Sequence, residues 1–230
     1  MNKKIVFVGV AALVACVGWW TIQRGSKSGA SQLLAKARAG DPAAERDLGL
    51  MYGAGRGVEK DPVAAFGWLQ KAAEQGDAQA QCMLAIFYQT AYGTPRDFSK
   101  ALDWLRKGAE QGDPGSLMQL GITYTEGVGV PPDQAQALSC FRKAAEQGYA
   151  DAQNFVGMIY MGAMGGAVDY PQAADWLRKS AEQGFAPAQA LLGRLATMSL
   201  PGFYAESDRR IFLAQRCRSE FGQKGSQRAR

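Results

Sequence analysis

Apolar side chains fall at intervals of three and four through most of the chain. The first such stripe is Ala44, Leu48, Met51 and Tyr52, the spacing of one face of an α-helix. It returns as Ala80, Leu84, Phe87 and Tyr88, as Ser116, Leu120, Thr123 and Tyr124, and as Ala152, Val156, Ile159 and Tyr160. A second stripe alternates with it: Ala65, Trp68, Leu69 and Ala72; Ala101, Trp104, Leu105 and Gly108; Ala137, Cys140, Phe141 and Ala144; Ala173, Trp176, Leu177 and Ser180. Each second stripe runs into the phrase Ala-Glu-Gln-Gly, at Ala73, Ala109, Ala145 and Ala181, and the phrase recurs every 36 residues. Asp61, Asp97, Asp133 and Asp169 keep the same beat. Self-similarity at this period predicts stacked units of two helices each.

Local signals place the helix ends. Asp41-Pro42 and Asp113-Pro114 pair a capping acid with a proline at the first helical position. Gly76, Gly112, Gly148 and Gly184 predict left-handed stops. Beside the first-stripe leucine stands Gly49, Ala85, Gly121, Gly157 or Gly193. Glycine or alanine in mid-helix predicts close approach of a neighbouring helix. The second stripes, with large and small residues alternating, predict tryptophans of one unit lying over alanines of the next. Glycine-rich connectors such as Gly53-Ala54-Gly55-Arg56-Gly57-Val58 and Gly127-Val128-Gly129-Val130 follow the first helices, with weaker ones at Gln89 to Pro95 and Met161 to Val168. A phosphate-binding loop needs a strand before it, and here a helix precedes, so hairpin turns are the reading.

The pattern Ala-x-x-x-Leu-Gly-x-x-Tyr, Gly-x-Gly-Val, Asp, then Ala-x-x-Trp-Leu-x-Lys-Ala-Ala-Glu-Gln-Gly resembles the Sel-one-like repeat, a cousin of the tetratricopeptide repeat. It holds phase from about Asp41 to Ala196. The resemblance implies an all-α fold, a right-handed α-solenoid of helix-turn-helix repeats. The units are 41–76, 77–112, 113–148 and 149–184, with a capping half-repeat at 31–40, a degenerate repeat and capping helix at 185–221, and a basic tail at 222–230.

Composition narrows the chemistry. The chain has no histidine, which removes the commonest general base and metal ligand. Cys16, Cys82, Cys140 and Cys217 form no CxxC, so zinc spacing is absent and no metal or other cofactor is expected. The recurring Glu74, Glu110, Glu146 and Glu182 each stand three residues after a lysine, Lys71, Lys107, Lys143 or Lys179. That spacing predicts paired charges on a solvated helix face rather than a catalytic pair. Much of the net charge of +5 comes from the C-terminal end, at Arg209, Arg210, Arg216, Arg218, Lys224, Arg228 and Arg230. A basic tail is ordinarily solvated; nucleic acid is the less favoured partner.

Near the N-terminus, Asn2-Lys3-Lys4 precedes an apolar run from Ile5 to Ile22 and then a polar spacer at 25–29, so 1–30 reads as an anchor or signal with its spacer. Such a run is long enough for a membrane anchor, with Trp19 and Trp20 at an interface. Leu13-Val14-Ala15-Cys16 also resembles a bacterial lipobox, which implies cleavage before Cys16 and lipid on its sulfur. The apolar Val17, Trp19, Trp20 and Ile22 that follow depart from that pattern. Anchor and lipoprotein both remain open, with cleaved secretion behind them. Either tether predicts repeats facing the periplasm.

By resemblance to tetratricopeptide repeats, the first helices line a curved surface and hold a peptide or protein. The positions off the buried stripe are Arg46, Leu50, Gln79, Cys82, Ile86, Gln89, Met118, Ile122, Thr125, Asn154, Met158 and Met161. Leu50, Ile86, Ile122 and Met158 share one repeat position; it either forms an apolar strip for a partner or packs on the second helices. The expected function is a non-enzymatic adaptor of the bacterial envelope. Two alternatives stand: a cell-wall or β-lactam-acting protein, which cysteine-rich relatives imply, and a cytosolic regulator using the basic tail. The first lacks the relatives' cysteine pairs and any Ser-x-x-Lys motif.

Overall fold

The computed structural model describes residues 27–163 and 167–197. The apolar N-terminal run with Cys16, the region from Met198 with the expected capping helix, and the basic tail lie outside them. The described residues form ten α-helices and no strands. They are α1 (Lys27–Arg38), α2 (Pro42–Ala54), α3 (Pro62–Glu74), α4 (Ala78–Thr90) and α5 (Phe98–Glu110). α6 (Pro114–Glu126), α7 (Gln134–Glu146), α8 (Ala150–Tyr160), α9 (Tyr170–Glu182) and α10 (Ala186–Thr197) follow. The chain divides into two compact units at Gln119 and Leu120, inside α6. In the first unit α1 packs on α2, α2 on α3, α3 on α4 and α4 on α5; in the second, α7 packs on α8, α8 on α9 and α9 on α10. This succession of neighbouring helices is an α-solenoid.

The capping acids act as the sequence leads one to expect. Asp41 Oδ1 accepts from the backbone N–H of Ala43 at 3.0 Å, and Asp61 Oδ1 from those of Val63 and Ala64 at 3.0 Å. Asp77, Asp97, Asp133 and Asp169 each take the N–H three residues on, at 2.8–3.0 Å. α8 departs from this pattern: its N-cap is Tyr149, with no side-chain capping bond. At the far end of α3, Gly76 adopts φ +95°. Its N–H bonds Ala73 O and that of Asp77 bonds Ala72 O, the paired closure that a left-handed residue permits.

Packing follows the two stripes. Leu48, Leu69, Leu84, Leu105, Val156 and Leu177 are fully buried. The small mid-helix positions admit the partner helix closely: a Cβ on Gly49 would stand 2.8 Å from Leu69 Cγ. On Gly121 it would stand 2.6 Å from the Phe141 ring, and on Gly157 2.6 Å from Leu177 Cγ.

The tryptophans are half-buried, and Trp68 packs against the cluster of Ala37, Ala44 and Leu48. Two expectations are corrected. Lys71, Lys107 and Lys179 ride on the Trp68, Trp104 and Trp176 rings, 4.1–4.4 Å from their centroids, instead of pairing with the glutamates. A ring three residues earlier on the helix offers a cation both its π face and cover for the lysine stem. Residues 27–29, expected as spacer, already belong to α1, which Leu33, Leu34 and Ala37 anchor against α2.

The glutamine of the recurring phrase proves to be a bridge. Gln75 Nε2 donates to Glu45 Oε2 at 2.6 Å, Gln111 to Gln81 Oε1 at 2.8 Å and Gln183 to Gln153 Oε1 at 2.8 Å. Gln81 and Gln153 in turn donate to Ala73 O and Ala145 O. A buried amide thus ties the end of one helix to a first helix, with both its donor and its acceptor used.

Candidate functional site

The first helices carry the residues set apart from the buried stripe, and their surroundings differ. In the first unit, Arg46 is committed within the fold: Nη1 donates to Asp77 Oδ2 at 2.7 Å, while Nε and Nη2 hold Asp47 Oδ1 at 3.1 and 3.0 Å. Gln89 Oε1 accepts from Gln119 Nε2 at 3.0 Å. Gln79 is exposed, and Leu50 and Met118 are half-buried. Ile86 is only 6% exposed and Cys82 3%. Every residue from Ala80 to Tyr88 is buried, so Ile86 and Cys82 offer no surface to a partner. α4 is enclosed on all faces, which a one-faced apolar period does not reveal.

In the second unit the same positions stay more open. Ile122, Thr125, Met158 and Met161 are half-buried. Thr125 Oγ1 donates to Gly121 O at 2.8 Å, within its own helix. Met161 packs against the Ala173, Ala174 and Leu177 cluster. Asn154 is 6% exposed, a correction to its place on an open face; its Nδ2 donates to Met158 Sδ at 3.6 Å. Its Oδ1 is buried and has no hydrogen-bond partner.

The structure adds Asp151, which the sequence reading missed although it occupies the register position of Gln79 two periods on. It is half-buried in the first turn of α8. Burial pushes its carboxyl above the ordinary carboxylate range, since desolvation disfavours the charged form. Gln119 was missed too; only its bond to Gln89 marks it.

Nucleophilic chemistry finds little footing. Cys82 and Cys140 are buried and joined in no disulfide. Burial raises the Cys140 thiol, partly offset by Lys143, and a protonated thiol is a poor nucleophile. Among the described residues no group of three potential ligands could hold a metal ion. A shallow recess on α7, lined by Ala135, Leu138, Ser139, Arg142, Lys143 and Glu146, consists almost wholly of exposed residues.

Comparison with protein families matches the Sel1 repeat to residues 42–77, 78–113, 114–149 and 150–185. The chain belongs to the Sel1 repeat family. Sel1 repeat proteins are generally protein-interaction scaffolds and typically non-enzymatic. Among solved structures, a Sel1 repeat protein from Oxalobacter formigenes is 37% identical with a TM-score of 0.67, over 75% of this chain and 50% of that one. The protein c5321, a protective antigen of uropathogenic Escherichia coli strains displaying an SLR fold, is 27% identical with a TM-score of 0.43, over 90% of this chain and 53% of that one. Immunity protein Pa5087 from Pseudomonas aeruginosa is 22% identical with a TM-score of 0.56, over 93% and 83%. The chain spans about half the length of the first two. No curated protein matches it.

Proposed function

We propose that this chain is a non-enzymatic adaptor of a bacterial envelope, holding a peptide or protein partner on the first helices of its Sel1 repeats. The observation that carries this reading is the half-open apolar row of the second unit. Ile122 and Met158 stay partly exposed, as do Phe155 and Tyr160 on α8, while Leu120, Tyr124, Val156 and Ile159 are packed away. Methionine is unbranched and polarizable, and suits a surface that must fit the side chains of another chain. The family's general role as an interaction scaffold supports it.

The tether belongs to the same proposal. The apolar run from Ile5 to Ile22 holds the repeats at the periplasmic face, either as an uncleaved anchor or through lipid on Cys16. Among the described residues no helix is long and apolar enough to cross a membrane. Reporter fusions at Ser28 and after the last residue test the compartment, and reporters active only in the cytoplasm would overturn the placement. The intact mass of the membrane-extracted protein separates lipidated from uncleaved chain. Met158→Glu or Ile122→Glu is expected to abolish capture of the partner with unchanged helicity by circular dichroism. Undiminished capture by both variants removes the row from the binding surface.

A further inference from the structure

The connector edge of the first unit carries cations and apolar side chains that the first-helix surface leaves unused. Lys27 and Arg38, the bounds of α1, stand one period before Val63 in the first turn of α3 and Glu74 at its end. α2 packs on both helices, so α1 and α3 start along the same edge, and α5 follows one repeat on. The connectors on this edge lie against each other. Tyr92 Oη donates to Gly53 O at 2.6 Å, Lys60 Nζ stands 5.4 Å from the Tyr92 ring centroid, and Gly93 backs onto the Pro62 carbonyl. Arg56, Lys60, Arg96 and Lys100 are all exposed here. Among the described residues the first three enter no ion pair, and Lys100 reaches Asp97 Oδ2 at 3.5 Å. Asp61 and Asp97 accept N–H groups of the helices they begin, where their charge answers the helix N-terminus. Glu59 is the carboxylate outside a cap. Val63 is 68% exposed, and Phe98, with Arg96 over its ring at 5.7 Å, is 36% exposed. The same register in the second unit, 125–136 and 161–172, holds Glu126, Asp133 and Asp169 but no lysine or arginine. Val168, 51% exposed there, stands in a stretch without a cation.

The occupant follows from where the chain enters the fold. The apolar run ends at Ile22 and α1 begins at Lys27, an interval that even an extended chain spans in about 18 Å. A tether formed by that run therefore delivers the chain to this edge. We propose that the edge with Arg56, Lys60, Val63, Arg96, Phe98 and Lys100 lies against the anionic phospholipid surface from which the chain emerges. Lysine and arginine meet the lipid phosphates, and the valine and phenylalanine enter among the headgroups. The contact fixes how the first repeats stand on the membrane, which a single tether leaves free to swivel. The proposal rests on the tether reading and deepens it.

The test places an environment-sensitive fluorescent amino acid at Val63, Phe98 or Val168 of the full-length chain. Each chain is reconstituted into vesicles of three parts phosphatidylcholine to one part phosphatidylglycerol, with a spin-labelled headgroup lipid as quencher. Quenching is expected to be about threefold stronger at positions 63 and 98 than at 168. Vesicles of phosphatidylcholine alone, or about 1 M salt, are expected to bring both down to the level of 168. Lys60→Gln combined with Arg96→Gln is expected to do the same. Lys71→Gln combined with Lys107→Gln removes as much charge from the last turns of α3 and α5 and is expected to change nothing. All four substituted lysines and arginines are exposed, and matching melts by circular dichroism separate lost docking from lost folding. Equal quenching at all three positions, or quenching indifferent to lipid charge and to Lys60→Gln with Arg96→Gln, overturns the contact. Flotation of the same vesicles tells the two readings apart. A chain that floats with them but shows no quenching at 63 and 98 loses the edge and keeps the tether, whereas a chain left at the bottom of the gradient loses both.

Discussion

The first helices of the second and fourth repeats, α4 and α8, share one register and have different surroundings. Ala80 and Leu84 in α4, and Ala152 and Val156 in α8, are all fully buried. The flanks diverge. α4 is buried without a break from Ala80 to Tyr88, whereas α8 leaves Phe155, Met158 and Tyr160 half-open and strands the Asn154 carbonyl. The repeat period specifies the face turned to a helix's own partner; the other faces depend on neighbours that no single repeat encodes. A residue at the Leu50 position is therefore core in one repeat and surface in another.

The sharpest way to break this contrast is to place the same charge at both ends of it. Ile86→Glu buries an unpaired carboxylate and is expected to cost on the order of 3 kcal/mol or more. Met158→Glu is expected to cost about 1 kcal/mol at most. Thermal melts of the two variants compare them directly, and equal losses would erase the distinction.

Gly157→Ala comes next. Its Cβ would press on Leu177 Cγ and stand 3.2 Å from Ala173 O, for an expected loss of about 1–3 kcal/mol from overpacking. In α4 the same position already holds Ala85. A neutral Gly157→Ala would mean that α8 and α9 adjust as freely as the pair with Ala85.

Glu45 offers a smaller, pH-dependent effect. Burial raises its carboxyl above the ordinary 4.5, against the lowering influences of Lys71 and the Gln75 bond. The folded chain then holds a proton that the unfolded chain has released. Stability falls as pH rises from 4.5 through the raised value and stays lower above it. Glu45→Gln installs the residue found at Gln81 and Gln153, and is expected to add about 1 kcal/mol at neutral pH. The gain should fade in melts below pH 4.5. A gain unchanged by acid would show that the carboxylate's charge is not its source.

The smallest expected effect concerns the uncapped start of α8. Tyr149→Asp supplies the acid that begins the first helices at Asp41, Asp77 and Asp113, for an expected gain of about 1 kcal/mol or less. No change in the melt would mean that Asp151 already serves that helix end.

Most of the fold was legible because its signals are local. Asp caps, glycine stops, the two stripes and the small mid-helix positions each act within a few residues, so a linear reading finds them. The bridging glutamines were visible only as a refrain, because Gln75 and Glu45 lie 30 residues apart in the chain. Lys71 was misread because the helix offered it two partners, Glu74 ahead and Trp68 behind, and spacing does not rank a charge against a ring. The candidate surface was the least legible. Ile86 and Met158 are alike in register, and Asn154 differs from an ordinary solvated asparagine only in what surrounds it.

The most direct test of the binding surface is photo-crosslinking in living cells, with a benzophenone amino acid replacing Ile122, Met158 or Glu146 and captured proteins identified by mass spectrometry. The account expects one and the same partner from positions 122 and 158 and none from 146. A partner captured at Glu146, with nothing from the two first-helix positions, would contradict it.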